Sequence, residues 1–240
     1  MESDSSYGQV IHLLNRRMAL SRQVRHTPAL PSLTDMLIPT PSDPSATGFL
    51  LASLSNVSGP VLWVQDHMSR RENGCLYTLG FKGLHIHNSI LQVHVSHTRD
   101  VLWAMEEGAA CAGLSAVVGE IHGAPAALDF TATKRLAMRA DASGVPVFLL
   151  RGGDPGVLSA ARERWRIMSL PSQLHLHDVN SPGNPQWDVD LFRTRGRMPG
   201  RWVASYDPDT PCPADRLGLV SRTDAGTLDT GDQPIPDRSG

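Results

Sequence analysis

Short apolar runs that alternate with helical stretches are the feature that most restricts the fold of this 240-residue chain. Four runs are nearly all apolar and short enough to be strands, and a fifth follows them: residues 60–64, 90–95, 114–121, 145–150 and 164–168. The best helical stretch, residues 128–144, starts with Asp129 as N-cap and ends at Gly144. Strands that are apolar throughout are buried on both faces. The pattern therefore predicts an α/β fold with a mostly parallel sheet flanked by helices.

Changes in composition divide the chain into five predicted parts. Residues 1–26 hold an amphipathic helix, and residues 27–46, rich in Pro, Ser and Thr, form a linker. The core spans residues 47–172. Residues 173–206 extend it with a β-hairpin at the sheet edge, because the alternating segment 187–193 is complemented by 201–206. Residues 207–240, rich in Pro, Asp and Gly, are predicted to be a mostly disordered tail, with "RLGLVS" (216–221) as a candidate short strand.

Composition excludes several classes of protein. Hydrophobic residues make up 40% of the chain, which is enough for a core, and the net charge of −2 offers no global reason to bind nucleic acid. No run of about 18 apolar residues exists, so no membrane span is predicted. The three cysteines share no close spacing, which predicts neither a disulfide framework nor a cysteine metal site. A cytoplasmic protein without a metal is the expectation.

The segment "PTPSDPSATGFLLASL", residues 39–54, occupies the place where a nucleotide-binding α/β protein would carry a phosphate loop. A P-loop needs a Gly-Lys pair, whose lysine reaches the terminal phosphates. The chain has two lysines, Lys82 and Lys134, and neither follows a glycine. Gly48 is followed by Phe49, a bulky ring where a cation would be needed. Ordinary P-loop hydrolysis of ATP is therefore not expected, and no cofactor is predicted.

Six segments resemble the ImuA family, and they occur in family order: "GPVLWVQD" (59–66), "DVLWAMEEG" (100–108), "LSAVVGEI" (114–121), and residues 128–151, 159–172 and 187–202. The resemblance covers roughly residues 47–206. It implies a RecA-like core and expression in the DNA-damage (SOS) response. It also implies a role in translesion synthesis and mutagenesis beside an ImuB-like Y-family polymerase homologue and an error-prone C-family DNA polymerase. Contact with RecA is a further family expectation, and contact with DNA would be indirect.

Three positions resemble the nucleotide site of RecA-like ATPases in degenerate form. Gly48 stands at the loop position, Asp66 at the position of the carboxylate that polarises water, and Glu120 at that of the Mg²⁺-binding carboxylate. Without a P-loop, we interpret Asp66 as part of a solvated loop that follows a strand. We interpret Glu120 as a remnant or a hydrogen-bonding residue.

The predicted hairpin carries the most notable basic feature of the chain. Arg193, Arg195, Arg197 and Arg201 lie within it, beside Trp202. Guanidinium groups at a hairpin tip suit phosphates, either of a DNA backbone or of a nucleotide bound to a partner, and they also suit protein contacts. The alternative is an exposed turn whose charge protects the edge strands.

The preferred function is a non-catalytic RecA-like adaptor of translesion synthesis that works by binding partner proteins. Two alternatives remain open. One is a nucleotide-dependent enzyme with an unorthodox site around Gly48, Asp66 and Glu120. The other is a single-stranded DNA binder that uses the arginine hairpin.

Overall fold

The computed structural model describes residues 32–40, 42–82, 84–153, 157–175, 178 and 180–222. The strands in this part of the chain are β1 (Leu33–Ile38), β2 (Val61–Asp66), β3 (Ile90–Val95), β4 (Ala116–His122), β5 (Val147–Gly152), β6 (Glu163–Leu170), β7 (Gln186–Thr194), β8 (Gly200–Tyr206) and β9 (Leu217–Ser221). The α-helices are α1 (Ser45–Leu54), α2 (His67–Asn73), α3 (Thr98–Ala109) and α4 (Phe130–Ser143). The helix predicted within residues 1–26 lies outside the described residues.

All of these strands form one sheet, in the order β3-β2-β4-β5-β1-β6-β7-β8-β9. The neighbours from β3 to β6 pair in parallel, and those from β6 to β9 pair antiparallel. Helices lie in the connections between successive strands from β1 to β5, as is usual for parallel strands, whereas the described residues between β5 and β6 contain no helix. The predicted α/β class, a mostly parallel sheet flanked by helices, is confirmed, and so is the pairing of β7 with β8 as a hairpin.

Two apolar cores cover the two faces of the sheet. On one face α1 buries Phe49 and Leu50 against Trp63 and other strand residues. On the opposite face α3 and α4 bury Met105 and Leu136. Helices on both faces explain why the central strands are apolar throughout.

Helix α4 has the ends that the sequence predicts. The Asp129 carboxylate accepts a hydrogen bond from the amide of Ala132 at 2.7 Å, and Gly144 takes the left-handed conformation with φ of 79°. Glycine adopts that conformation without steric cost. Among the described residues, no helix is long and apolar enough to cross a bilayer.

The predicted linker, residues 27–46, is wrong in its middle, because it contains the central strand β1. This strand pairs with both β5 and β6 and is buried along its length. Its pattern is hidden by Asp35, a fully buried carboxylate that forms ion pairs with Arg151 and Arg164 at 3.3 Å each. Since both arginines come from strands far along the chain, local periodicity contains no sign that this charge is compensated.

The prediction of a disordered tail over residues 207–240 is wrong in its first part, where the candidate strand at residues 216–221 is confirmed. A short 3₁₀ turn at Pro213–Asp215 leads into β9, which pairs antiparallel with β8. Leu219 of β9 is buried in the core that α1 covers. Strand β9, and not the predicted hairpin, therefore forms this edge of the sheet. Residues 223–240 lie outside the described part.

Candidate functional site

A cleft of about 510 Å³ opens at the carboxyl ends of the parallel strands. Ile38, Gln65 and Glu120 line it from the ends of β1, β2 and β4, and Ser45 lines it from the start of α1. Open parallel sheets bind their ligands at the carboxyl ends of the strands. This cleft is therefore the candidate functional site.

The loop between β1 and α1 carries a carboxylate at the start of the helix. Asp43 Oδ1 accepts a hydrogen bond from the amide of Ser45 at 2.9 Å, and Asp43 also accepts from the amide and the hydroxyl of Ser169 at 3.1 and 2.6 Å. Partial burial acts to raise the pKa of Asp43, but the hydrogen bonds from Ser169 and Ser45 outweigh it and lower that pKa. A charge belonging to the chain itself thus binds the helix end, where a phosphate-binding protein would present free amides to its ligand.

Gly48 is not in the loop, contrary to the sequence prediction. It lies inside α1, and its amide donates to the carbonyl of Pro44 at 2.9 Å. A Cβ atom at Gly48 would lie 3.2 Å from Cζ2 of Trp187, so the glycine allows this indole to pack against the helix. Phe49 points into the core instead of the cleft loop, with its ring centroid 6.0 Å from that of Trp187.

Glu120 is a buried carboxylate that accepts three side-chain hydrogen bonds. Its Oε2 accepts from Gln65 Nε2 at 2.8 Å and from Trp63 Nε1 at 3.3 Å. Its Oε1 accepts from Asn73 Nδ2 at 2.7 Å. Burial raises the pKa of Glu120, and the nearby charge of Asp66 adds to the rise, while the three hydrogen bonds oppose it. The carboxylate therefore holds β2, β4 and α2 together in the structure.

Asp66 is a buried helix cap, so its interpretation as part of a solvated loop is wrong. It accepts from the amide of Ser69 at 2.8 Å and from the hydroxyl of Thr98 at 2.7 Å. The N-cap position of α3 is occupied by His97, which makes no side-chain cap. Thr98 connects α3 to the start of α2 through Asp66.

The electrostatic character of the cleft is negative. Asp43 and Glu120 are the charged side chains among its described lining residues, and none of those residues is Lys, Arg or His. Tyr77, Phe81 and Trp187 supply an aromatic wall. A polyphosphate would thus meet two carboxylates and no compensating cation from these residues.

The arginines of the hairpin fall into two classes, and two of them form pairs with buried carboxylates. Arg197 binds both oxygens of Glu163 at 2.7 Å and lies 5.1 Å from the ring centroid of Trp165. Arg201 binds Asp188 through two nitrogens, with Nε to Oδ1 at 2.9 Å. Sequence reasoning missed both carboxylates. The alternation of acidic residues along β7 opposite β8 was the available signal for Asp188.

Arg193 and Arg195 form the second class. Both are exposed, and their side chains make no hydrogen bond or ion pair within the described part of the chain. Trp202, which was predicted as a contact residue, is half-buried and lies 5.9 Å from the ring of Trp165. Of the five predicted contact residues, Arg193 and Arg195 are thus the two whose side chains are exposed and unpaired within the described part of the chain.

Comparison with known proteins gives one clear relationship. The chain is 33% identical over 155 residues to Protein ImuA from two strains of Caulobacter vibrioides, a match that covers 60% of this chain. The chain spans 59% of the length of these curated relatives. No family model matches. Among solved structures, the RadB recombinase is similar with a TM-score of 0.49 and 14% identity, over 75% of this chain and 89% of that one. Over these 155 residues, the chain is similar to Protein ImuA.

Proposed function

We propose that the chain is a non-catalytic accessory protein of damage-induced translesion DNA synthesis and acts by binding partner proteins. Similarity to Protein ImuA supports the accessory role. The observation that carries the non-catalytic part is the charge of the cleft at the carboxyl ends of β1, β2 and β4. Phosphoryl transfer requires cations around the transferred group. The described wall of this cleft offers Asp43 and Glu120 instead.

Electrostatics give the scale of this effect. Two like unit charges about 5 Å apart repel by roughly 3 kcal/mol at an effective dielectric constant of about 20. A triphosphate beside two carboxylates would meet such terms several times over, which favours an empty nucleotide position. The Asp43 carboxylate also competes for the helix amide that a phosphate would use.

The partners in this proposal are an ImuB-like Y-family polymerase homologue, an error-prone C-family DNA polymerase and RecA. The hairpin between β7 and β8 is one proposed contact surface, because Arg193 and Arg195 are exposed there. Residues 1–26 are the other, on the strength of their sequence alone.

Two measurements on one preparation test the proposal. Titration calorimetry with Mg-ATP should give no saturable heat, while size-exclusion chromatography should show co-elution with the ImuB-like partner. The double variant Arg193→Ala/Arg195→Ala should weaken co-elution. Arg139→Ala, which removes an exposed arginine of α4, serves as the matched control and should have no effect. Saturable ATP binding that Glu120→Gln abolishes would instead support the enzyme alternative.

A second candidate function is binding of single-stranded DNA through Arg193 and Arg195, and their exposure without partners favours it. Each phosphate contact contributes about 0.7 to the slope of log affinity against log salt for single strands. The Arg193→Ala/Arg195→Ala variant should then make this negative slope shallower by about 1.4. An unchanged slope would rule out these arginines as phosphate contacts.

A further inference from the structure

The cleft combines an aromatic wall with negative charge. Tyr77 lies at its rim with 71% of its surface exposed, and Leu79, in the same turn, is 69% exposed. Below them, Trp187 and the two carboxylates line the cleft. Its volume of about 510 Å³ falls within the range of about 300–1,000 Å³ typical of small-ligand pockets. A ligand that matches these walls has an apolar body and a positively charged end.

A second, independent feature of the cleft is a buried hydrogen-bond acceptor without a donor. Gln65 lines the cleft and is only 2% exposed. Its Nε2 donates to Glu120 and to the carbonyl of Gly74, at 2.8 and 3.1 Å, which fixes the orientation of the amide. Its Oε1 has no donor anywhere in the described structure. A buried acceptor without a donor costs about 1–3 kcal/mol, so a ligand that donates there would be favoured.

We propose that the cleft binds an arginine side chain of a partner protein. This inference rests on the proposed adaptor function and names the chemistry of one docking site. A guanidinium group carries five N–H donors and a full positive charge, which suits Gln65 Oε1 together with the carboxylates of Glu120 and Asp43. Its planar face stacks on aromatic rings such as those of Tyr77 and Trp187, and its methylene stem packs on apolar walls.

Agmatine, which is arginine without its carboxyl group, is a direct probe of the cleft. Calorimetric titration of the full chain with agmatine should be saturable. The diamine 1,5-diaminopentane, which keeps both positive charges but has an ammonium group in place of the guanidinium, should bind at least threefold more weakly. The double variant Asp43→Asn/Glu120→Gln should weaken agmatine binding at least tenfold. Glu107→Gln, which neutralises an exposed carboxylate of α3, is the control and should bind as the wild type does. Thermal unfolding of each variant verifies that it is folded.

Several results would overturn the inference. They are no agmatine binding by the wild type, binding that the Asp43→Asn/Glu120→Gln variant leaves unchanged, and equal binding of 1,5-diaminopentane. The last result would mean that the cleft recognises a positive charge and does not distinguish a guanidinium from an ammonium group.

Co-elution with the ImuB-like partner separates this inference from the proposed function. The Asp43→Asn/Glu120→Gln variant should bind the ImuB-like partner at least tenfold more weakly than the wild type does. If wild type and double variant bind the partner equally well, the cleft is not the docking site, and the adaptor function stands. If the wild type binds no partner, the adaptor function fails, whatever agmatine does.

Discussion

Replacing Glu120 with alanine tests the structural role of the buried carboxylate. The substitution removes the acceptor of three donors, but their fates differ. Gln65 Nε2 keeps the carbonyl of Gly74, and the partly exposed Asn73 can turn to water. Trp63 is fully buried, and its Nε1 is left without an acceptor within the described structure.

The magnitude follows from this inventory. One orphaned buried donor costs about 1–3 kcal/mol, and the shortened side chain adds a small cavity, while loss of the carboxylate's own desolvation offsets part of the sum. We expect the free energy of unfolding to fall by about 2 kcal/mol. Glu120→Gln keeps the shape and one acceptor oxygen. It should therefore cost less than about 1 kcal/mol.

Urea unfolding at pH 7, followed by far-ultraviolet circular dichroism, measures both variants against the wild type. The expected order of stability is wild type, then glutamine, then alanine. An alanine variant as stable as the wild type would contradict the reasoning, because the three hydrogen bonds would then contribute nothing to the fold. Binding of a ligand, and not stability, would then have to account for a carboxylate at this position.

Three further predictions concern charge. The raised pKa of Glu120 means that its carboxyl group binds a proton more tightly in the native state than in the unfolded chain. The free energy of unfolding should therefore decline as the pH rises from about 4.5, the ordinary pKa, through the pKa of the folded state. Urea unfolding of Glu120→Gln should not show this decline. The lowered pKa of Asp43 has the opposite sign: its contribution is present at neutral pH and is lost as the pH falls below 3.8, a loss that acid unfolding of Asp43→Asn should not show. Arg197→Ala leaves the buried Glu163 without its guanidinium partner and should lower the free energy of unfolding in urea by about 2 kcal/mol. This loss is smaller than for a fully buried pair because Arg197 is partly exposed. The control Arg195→Ala should change the free energy of unfolding by no more than about 0.5 kcal/mol.

The general architecture could be predicted from local patterns. Strands β2 to β6, the caps of α4 and the β7–β8 hairpin all follow from short-range periodicity and from turn residues. The missing Gly-Lys pair is equally local, since a P-loop is a contiguous motif. These features need no knowledge of which distant segments meet.

The candidate site could be predicted only in part. Glu120 was assigned to the carboxyl end of a strand, and that position is correct. Its three donors were not predicted, and Asp66 was misplaced in a loop, because a helix cap at a strand end depends on the turn that follows. The hairpin arginines were identified as a set, but only the folded sheet separates paired Arg197 and Arg201 from exposed Arg193 and Arg195.

The amino-acid sequence by itself determined the α/β class, the similarity to Protein ImuA and the lack of a Gly-Lys pair, because each depends on neighbouring residues. Only the tertiary structure decided that β1 is the central strand, that β9 forms the edge and that the cleft is acidic. Each of these outcomes depends on residues far apart in the chain: Asp35 pairs with arginines of β5 and β6, Leu219 packs in the core under α1, and Asp43 and Glu120 line one cleft. A buried charge or a short strand becomes favourable only through such partners, and local periodicity does not encode them.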